Sequence, residues 1–308
     1  MVDYKGDLLF FIMQIEAFKV FRDLVDGESF SKAAQVNSIT QSAVSQQVRS
    51  WETRYGIPLI ERSSKQFGLT REGQLFYEAA RRIVGEIDGF QNALAEMRNI
   101  IAGPIRVSTV YSIGLHELPP FIKRFLKEYP AVNVHVEYRR SNQVYEDVAE
   151  GASDFGLVAF PSIRKQIRVK PFRRDRLVLI CSPQHRLARN GDGEIAIGEV
   201  AEEKFIGFEP DIPTRKAVDG IFKENGFEVR PVMEFDNVET VKRAVEIDAG
   251  IAVVPRATIE QELKNGSLVA LEFKGQSFYR PLGILYKTGR IFSPGMRRFM
   301  DVLTQGDS

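Results

Sequence analysis

Apolar residues recur at intervals of three and four in the first part of the chain, a spacing that is typical of amphipathic helices. This pattern over residues 14–26 predicts a first helix, and SFSKAAQV at 29–36 predicts a short second one. A third helix is expected to begin after Thr40, whose hydroxyl suits an N-cap, and to end near Tyr55, just before Gly56. The sequence therefore predicts three short helices joined by tight turns.

The third predicted helix has two faces of different chemistry. Its apolar residues fall within one narrow arc formed by Val44, Val48, Trp51 and Tyr55. The opposite side carries amides, hydroxyls and an arginine: Gln41, Ser42, Ser45, Gln46, Arg49 and Thr53. Glutamine and arginine can bond adenine and guanine in the major groove, and serine can reach bases or phosphates. This face predicts a helix–turn–helix that reads DNA, with a merely solvated helix as the alternative.

The segment after the third helix predicts a β-hairpin. In LIERSSKQFGLTREG, which follows Pro58, two apolar stretches flank a polar tip. Arg62 and Lys65 at this tip would offer cations to DNA phosphates, contacts that position a protein without reading sequence.

A heptad pattern begins after Thr70 and predicts one long helix over residues 71–102. Its apolar seam consists of Phe76, Ala80, Ile83, Ile87, Phe90, Leu94, Met97 and Ile101. Gly85 and Gly89 each weaken such a helix by roughly 1 kcal/mol relative to alanine, so a partner helix is expected to support it. The sequence therefore predicts dimerisation through this seam, with packing on the same chain as the alternative.

The remaining two thirds of the chain contains a weak internal repeat of strand, helix, strand, helix and strand. Two α/β lobes separated by a cleft are expected, within an effector domain at 103–308. We expect lobe 1 to comprise 104–181 together with 256–308, and lobe 2 to comprise 182–255. The strand RLVLICS connects the lobes.

The composition narrows the function further. The net charge is +1, the hydrophobic fraction is 44%, and no apolar run is long enough to span a bilayer. The single cysteine, Cys181, excludes an internal disulfide, and the three histidines lack metal-ligand spacing. Nucleotide-binding and hydrolase motifs are missing. We therefore expect a cytoplasmic protein with no catalytic site, no metal, no cofactor and no membrane partner.

The segment from FSKAAQVNSITQSAV to GLTREG resembles the N-terminal signature of LysR-type transcriptional regulators, and the resemblance extends over nearly the whole chain. It implies a winged helix–turn–helix at 13–70, with minor departures at Trp51, Ile60 and Lys65. The DNA-binding residues it implies are Thr40, Gln41, Ser42, Ser45, Gln46 and Arg49, and it implies that Arg62 and Lys65 contact the DNA backbone. The partners implied are double-stranded DNA with an interrupted palindrome, a second copy or a dimer of dimers, and a small-molecule effector; contact with RNA polymerase is left open.

The same resemblance implies that effector groups lie in the loops after the strands. The candidate residues are Thr109, Ser112, Ser141, Asn142, Gln143, Phe160, Thr214 and Asn237. Several stand where a helix begins, so the hypothesis is a small anionic metabolite, with simple helix capping as the alternative. Glu209 and Asp211 argue against a highly charged anion unless Arg215 or Lys216 offsets them.

Two further interpretations concern the two lobes taken alone and the start of the chain. A solute-binding protein without a role on DNA fits the two lobes alone but leaves the first hundred residues unexplained. Residues 1–12 precede the point at which the resemblance begins, and either an upstream start codon or a disordered extension is expected there.

Overall fold

A computed structural model describes residues 4–61, 67–97, 101–189 and 193–305, and within the first and fourth helices it does not describe the side chains of 4–15, 88, 91–93 and 95–97. The described chain forms two compact units. The first comprises Met1–Ile101 with two short segments, Glu150–Ala152 and Ile291–Pro294, and the second comprises the rest.

The first unit contains four helices: α1 (Tyr4–Gly27), α2 (Phe30–Val36), α3 (Gln41–Tyr55) and α4 (Arg71–Met97). The second and third helices lie where the sequence predicts them. Ser29 caps α2 by accepting a bond from the Lys32 amide at 3.3 Å, and Thr40 caps α3 by accepting one from the Ala43 amide at 3.1 Å. The expectation of a disordered extension is wrong for residues 4–12, because α1 begins at Tyr4.

The core of the first unit is aromatic. Val44, Val48 and Trp51 of α3 are buried as predicted, whereas Tyr55, the last residue of that arc, is 52% exposed. Phe76 of α4 lies among these side chains, with ring centroids 4.9 Å from Phe21 and 5.2 Å from Trp51. The start of α4 therefore packs on α1 and α3 of its own unit.

The structure contains the base of the predicted hairpin. Ile60 and Leu69 pair antiparallel, and the Glu61 amide donates to the Gly68 carbonyl at 2.9 Å. Gly73 lets α4 approach this base, because a Cβ at that position would lie 1.9 Å from the Leu59 carbonyl oxygen. The tip of the hairpin, with Arg62 and Lys65, lies outside the described residues.

The second unit is built on mixed sheets flanked by helices. Its elements are, in chain order, β1 (Gly103–Thr109), α5 (Tyr111–His116), α6 (Pro119–Glu128), β2 (Val132–Tyr138), α7 (Ser141–Glu150), β3 (Phe155–Ala159), β4 (Ile167–Cys181), β5 (Glu194–Ile195), α8 (Ile197–Ala201), β6 (Phe205–Phe208), α9 (Pro213–Glu224), β7 (Pro231–Phe235), α10 (Val238–Glu246), β8 (Ala252–Pro255), α11 (Glu260–Asn265), β9 (Val269–Phe273), β10 (Phe278–Lys287) and α12 (Pro294–Thr304). The main sheet runs β2-β1-β3-β10-β4-β9-β5 with β8 beside β4, and β6 pairs with β7 in parallel.

The first helix of the predicted repeat is divided in two. The first part, α5, ends at His116, and the second, α6, begins at Pro119. A proline has no amide hydrogen and fits only the first turn of a helix, so Pro119 and Pro120 start a new helix.

Strand β4 runs through both lobes. Its first part pairs with β10, and its last residues pair with β8 and β9. The first lobe therefore contains β1, β2, β3 and β10, and the second contains β5 to β9.

This pairing corrects the expected division at residue 255. Leu271 pairs with Leu179 of β4, and Ile259 and Leu268 are buried in the same core as Ile206 and Val241 of the second lobe. The segment 256–273 therefore belongs to the second lobe, and the chain returns to the first lobe only at β10. The repeat ended at β8, so the pattern gave no sign that one more strand would add to the second lobe.

Candidate functional site

The outward face of α3 presents the predicted polar side chains. Gln41, Ser42, Gln46, Arg49 and Thr53 are exposed, and Ser45 is half-buried. Within the described part of the chain, neither Gln46 nor Arg49 has a hydrogen-bond or ion-pair partner. These two side chains are therefore available to an outside ligand.

The remaining predicted residues of this helix are partly engaged. Thr40, which is exposed, caps α3 and shares a 2.8 Å hydrogen bond with the Ser42 hydroxyl. Gln41 accepts a long bond of 3.4 Å from Ser31 of α2. The bond between Thr40 and Ser42 lies at the start of α3, and the bond from Ser31 links that start to α2.

Glu52 is a residue that the sequence reasoning missed. It is 9% exposed, and its Oε1 accepts the Leu59 amide at 2.9 Å and the Ile60 amide at 3.4 Å. This carboxylate ties the base of the hairpin to α3. The sequence signal for the burial of Glu52 was its position beside Trp51, at the border of the apolar arc.

The predicted seam of α4 divides into a covered part and an exposed part. Phe76 and Ala80 pack inside their own unit, and Ile87 is half-buried. Ile101 is also half-buried, but the prediction of a helix up to residue 102 is wrong there, because α4 ends at Met97 and residues 101 and 102 are not helical. Ile83, Phe90 and Leu94 are exposed, with Phe90 at 63%. The side chain of Met97 lies outside the described residues. Ile83, Phe90 and Leu94 therefore present an exposed apolar surface on the described part of this helix.

A cavity of about 440 Å³ lies between the two lobes of the second unit. Five of the eight predicted effector residues line it: Ser112, Ser141, Asn142, Thr214 and Asn237. The cavity is therefore built from both lobes, at the ends of the strands where the loops were expected to meet.

The other three candidates do not line this cavity. Thr109 is fully buried, and its hydroxyl donates to the Val110 carbonyl at 3.3 Å. The Gln143 side chain accepts the Arg140 amide at 3.3 Å. Phe160 takes a left-handed φ of +50°, with its amide donating to the Pro281 carbonyl at 2.8 Å. Thr109 and Gln143 therefore bond to residues within three positions of them, and Phe160 bonds through its backbone to β10.

Three helices of eight residues or more begin at the cavity, namely α7, α9 and α10. Asn237 caps α10, since its side chain accepts the Thr240 amide at 3.1 Å. Thr214, at the start of α9, is only 4% exposed, and its hydroxyl has no partner among the described residues. Helix N-termini carry partial positive charge, which favours an anion here.

Basic side chains that the sequence reasoning had not assigned also line the cavity: Arg139, Arg140, Arg164, Lys216 and Arg280. Arg164 stacks on the Tyr145 ring, 3.8 Å from its centroid. The sequence indicates Lys216 only as an offset to Glu209 and Asp211. Within the described ranges Lys216 has no carboxylate partner. An anion entering the cavity thus meets cations from both lobes.

Arg280 lies on β10 and is 2% exposed. Its Nη2 donates to Asp175 at 2.9 Å, and its Nη1 donates to the Ser112 hydroxyl at 2.9 Å. Burial lowers the pKa of the guanidinium, and the charge and hydrogen bond of Asp175 oppose this shift. An arginine within an otherwise apolar strand was the only sequence signal for this residue.

Arg140 bridges the lobes at the mouth of the cavity. From the first lobe, its guanidinium reaches Glu209 at 2.8 Å, Asp211 at 3.3 Å and Asp236 at 3.9 Å on the second. The hydrogen bond and charge of Glu209 raise the pKa of Arg140. The acids named from the sequence as a barrier to anions are therefore engaged by this arginine.

A second contact between the lobes joins α5 and α10. His116 contacts Glu239 at 2.8 Å, and Glu239 contacts the buried Lys242 at 3.1 Å. Lys242 is bound in turn to Glu262 at 2.9 Å. Burial would raise the pKa of Glu239, but the hydrogen bonds from His116 and Lys242 outweigh it and lower that pKa.

The described residues were compared with the requirements of a metal site, a reactive cysteine and a membrane span. They contain no group of three histidine, cysteine or acidic side chains arranged to hold a metal ion. Burial raises the pKa of Cys181 to about 11, which disfavours its reactive thiolate. None of the described helices combines the length and apolar character that crossing a bilayer requires.

Two family models match the chain. Residues 15–74 match the bacterial regulatory helix-turn-helix protein of the lysR family, and residues 99–308 match the LysR substrate binding domain. The two matches cover the helix–turn–helix and the two-lobed unit that contains the cavity.

Comparison with characterised proteins gives the same picture. The chain is 28% identical to the HTH-type transcriptional activator CmpR of Synechocystis over 95% of both chains. It is 27% identical to a RuBisCO operon transcriptional regulator of Allochromatium vinosum, over 94% of this chain and 95% of the relative. A full-length OxyR variant from Pseudomonas aeruginosa has the same fold, with a TM-score of 0.71 at 18% identity, over 94% of this chain and 93% of the other.

Proposed function

Because the chain belongs to the LysR family of transcriptional regulators, we propose that a small anionic metabolite in the interlobe cavity controls its action on DNA. As a member of that family it binds DNA through its helix–turn–helix and a small molecule through its substrate-binding domain, and its relatives are regulators rather than enzymes. The match to the DNA-binding domain removes the alternative of a ligand sensor without a role on DNA.

The observation that carries the anion proposal is the chemistry of the cavity wall. Cations from both lobes line it, and the hydroxyl of Thr214, a residue that is 4% exposed at the N-terminus of α9, has no partner among the described residues. Anions are stabilised where unpaired donors and helix N-termini converge. Of the cations that line the cavity, Arg164 and Lys216 have no carboxylate partner among the described residues, and an anionic effector would supply one.

A thermal-shift screen of the full chain with organic acids, sugar phosphates and matched neutral compounds tests the class of effector. Binding to the folded state alone raises the melting temperature, so acids are expected to stabilise the chain and their neutral analogues to do so much less. Stabilisation by neutral or cationic compounds only would contradict the proposal.

On DNA, the proposal assigns base reading to Gln46 and Arg49, the unpaired side chains on the outer face of α3. Thr40, Gln41, Ser42 and Ser45 would add contacts around them, and Arg62 and Lys65 would bind phosphates. Footprinting on the promoter nearest to the gene, with and without acids that stabilise the chain, is expected to reveal an interrupted palindrome whose occupancy or extent the acid changes.

Assembly is proposed to use the exposed part of the α4 seam. An uncovered stripe that includes Ile83, Phe90 and Leu94 is unfavourable in water and is suited to a second copy of the same helix. We propose that the chain forms a dimer or a dimer of dimers through this stripe and acts in the cytoplasm, with RNA polymerase as a further candidate partner. Sedimentation of the purified chain tests it, and a monomer at micromolar concentration would contradict it.

A further inference from the structure

The guanidinium of Arg140 is shared by three carboxylates of the opposite lobe. Arg140 lies just before α7 in the first lobe, and it reaches Glu209 at 2.8 Å, Asp211 at 3.3 Å and Asp236 at 3.9 Å in the second. Among the described residues, no other cation pairs with any of these three acids. Three negative charges of one lobe therefore depend on one positive charge of the other.

The acids are brought together by the fold of the second lobe alone. Glu209 follows β6, and Asp236 follows the parallel neighbour β7, so both lie at the carboxyl ends of paired strands. The Glu209 amide donates to the Phe235 carbonyl at 2.9 Å, and the Asn237 side chain donates to Asp236 at 2.7 Å. Like charges held this close repel one another, so the cluster is unfavourable unless a cation neutralises it.

The connection between the lobes has the form of a hinge. Each lobe has its own core, with Val144 and Leu285 buried in the first and Ile206 and Val241 buried in the second. Within the described ranges, the chain passes between them along β4 and through the turn from β9 to β10. Domains joined in this way open and close about the connecting strands, so contacts across the cavity mouth bias the equilibrium.

A second contact between the lobes lies near the first. His116, at the end of α5, contacts Glu239 at 2.8 Å, and Glu239 lies in the first turn of α10, three residues after Asp236. The buried Lys242 holds Glu239 at 3.1 Å from within the second lobe. The start of α10 is therefore contacted from the first lobe by both Arg140 and His116.

We propose that Arg140 is a clasp that keeps the two lobes closed over the cavity independently of an effector. The closed lobes pair the three acids with Arg140, and opening leaves the acids facing one another without their counterion. Arg140 and the acids are partly exposed, so dissolved salt screens the clasp and favours opening. The inference goes beyond the proposed function, because the clasp holds for an effector of any charge.

Fluorescence energy transfer between the lobes of the full chain measures this equilibrium. Lys127 on α6 and Lys223 on α9 are exposed, one on each lobe, and Lys127→Cys with Lys223→Cys provides sites for a pair of dyes. Cys181 is buried, and burial raises its pKa to about 11, so it stays unlabelled. A large excess of chain without dyes ensures that donor and acceptor report on one copy.

Arg140→Gln is expected to raise the fraction of open lobes about threefold at low salt, because it removes the counterion of three acids. Raising the salt concentration from about 0.05 M to about 0.5 M is expected to open the lobes of the unaltered chain. The same step should no longer open the lobes of Arg140→Gln, since salt then screens only the repulsion among the acids.

Arg243→Gln is the matched control. Arg243 is also an exposed arginine with a carboxylate partner, Glu246 at 2.6 Å, but both residues lie on α10. This variant is expected to match the energy transfer of the unaltered chain at both salt concentrations. The melting temperature of each variant shows whether it is folded.

Glu209→Gln tests the clasp from the second lobe. Its side chain makes the shortest of the three contacts with Arg140, so its loss is expected to open the lobes, though less than Arg140→Gln does. Combining Glu209→Gln with Arg140→Gln should open the lobes no further than Arg140→Gln alone, because both changes remove the same contact.

Opening by Arg140→Gln but not by Arg243→Gln supports the clasp. Energy transfer that is equal in Arg140→Gln and the unaltered chain at both salt concentrations overturns it, and equal opening by the two arginine variants does so as well. These results are distinct from a failure of the proposed function, which is tested by whether acids raise the melting temperature of the unaltered chain.

Discussion

Replacing Glu52 with alanine should destabilise the DNA-binding unit and leave the two-lobed unit unchanged. The carboxylate accepts the Leu59 and Ile60 amides, and the 2.9 Å bond to Leu59 is buried. Hydrogen bonds to charged groups contribute about 1.5–3 kcal/mol, and the longer bond adds little, so the expected loss is about 2 kcal/mol. For a unit of this size that loss lowers the melting temperature by about 8–16 °C.

The chain provides its own probe for this measurement. Its single tryptophan, Trp51, is buried in the core of the first unit, so its fluorescence follows the unfolding of that unit alone. Circular dichroism follows both units. The Glu52→Ala variant is expected to show an earlier transition by fluorescence, whereas the transition of the α/β unit stays where it is.

Two companion variants sharpen the result. Glu52→Gln keeps an acceptor oxygen and loses the charge, so its loss of stability should lie between the alanine variant and the unaltered chain. Glu86→Ala removes an exposed glutamate from α4 and should have almost no effect. If Glu52→Ala and Glu86→Ala melted at the same temperature by tryptophan fluorescence, the carboxylate would not support the hairpin.

Arg49→Ala is expected to cost about 1–3 kcal/mol at one base pair and to relax base choice there, whereas Lys65→Ala should weaken all sequences alike and lower the salt slope by about one; binding to operator variants at several salt concentrations checks this, and identical effects on base preference would contradict it. Phe90→Asp should dissociate the assembly, because burying two phenylalanines contributes about 3–6 kcal/mol; an unchanged sedimentation coefficient would refute the seam. Burial, with the hydrogen bond to Asp26, raises the pKa of Tyr77 above its ordinary value of 10.0, so the stability it adds is present below pH 10 and is lost as the pH rises further. Tyr77→Phe should remove that alkaline loss, and denaturant melts at rising pH that match the unaltered chain would argue against it.

Local patterns were sufficient for most of the helices and strands. The α3 helix could be placed because the cap before its fifteen residues, the apolar arc within them and Gly56 after them all indicate the same helix. The polar face followed from the same arc, since a residue opposite a buried side chain must face outward. These features depend on neighbours in the sequence, which a periodicity can reveal.

The α4 seam shows where periodicity stops being sufficient. A heptad pattern predicts that a stripe is covered but not by what, and Phe76 proves to be covered by its own unit. Ile83, Phe90 and Leu94 continue the same pattern without such cover. The identity of the covering surface depends on chain segments that are distant in sequence, which the spacing of α4 does not contain.

The buried charges beside the cavity show the same limit of prediction from local sequence. Arg280 and Asp175 stand 105 residues apart, and while Arg280 has apolar neighbours on its strand, Asp175 lies inside the charged run RRDR of β4. A charge on a buried strand must have a partner, because an isolated one would be too unfavourable to keep. The sequence could therefore have indicated that Arg280 needs a counterion, but not that it is Asp175, because their pairing follows from β10 lying beside β4, an antiparallel contact that is set by the whole sheet. The hydrogen bond that Arg280 donates to Ser112 depends on that contact in turn, so the chemistry of the cavity is a property of the fold rather than of any motif.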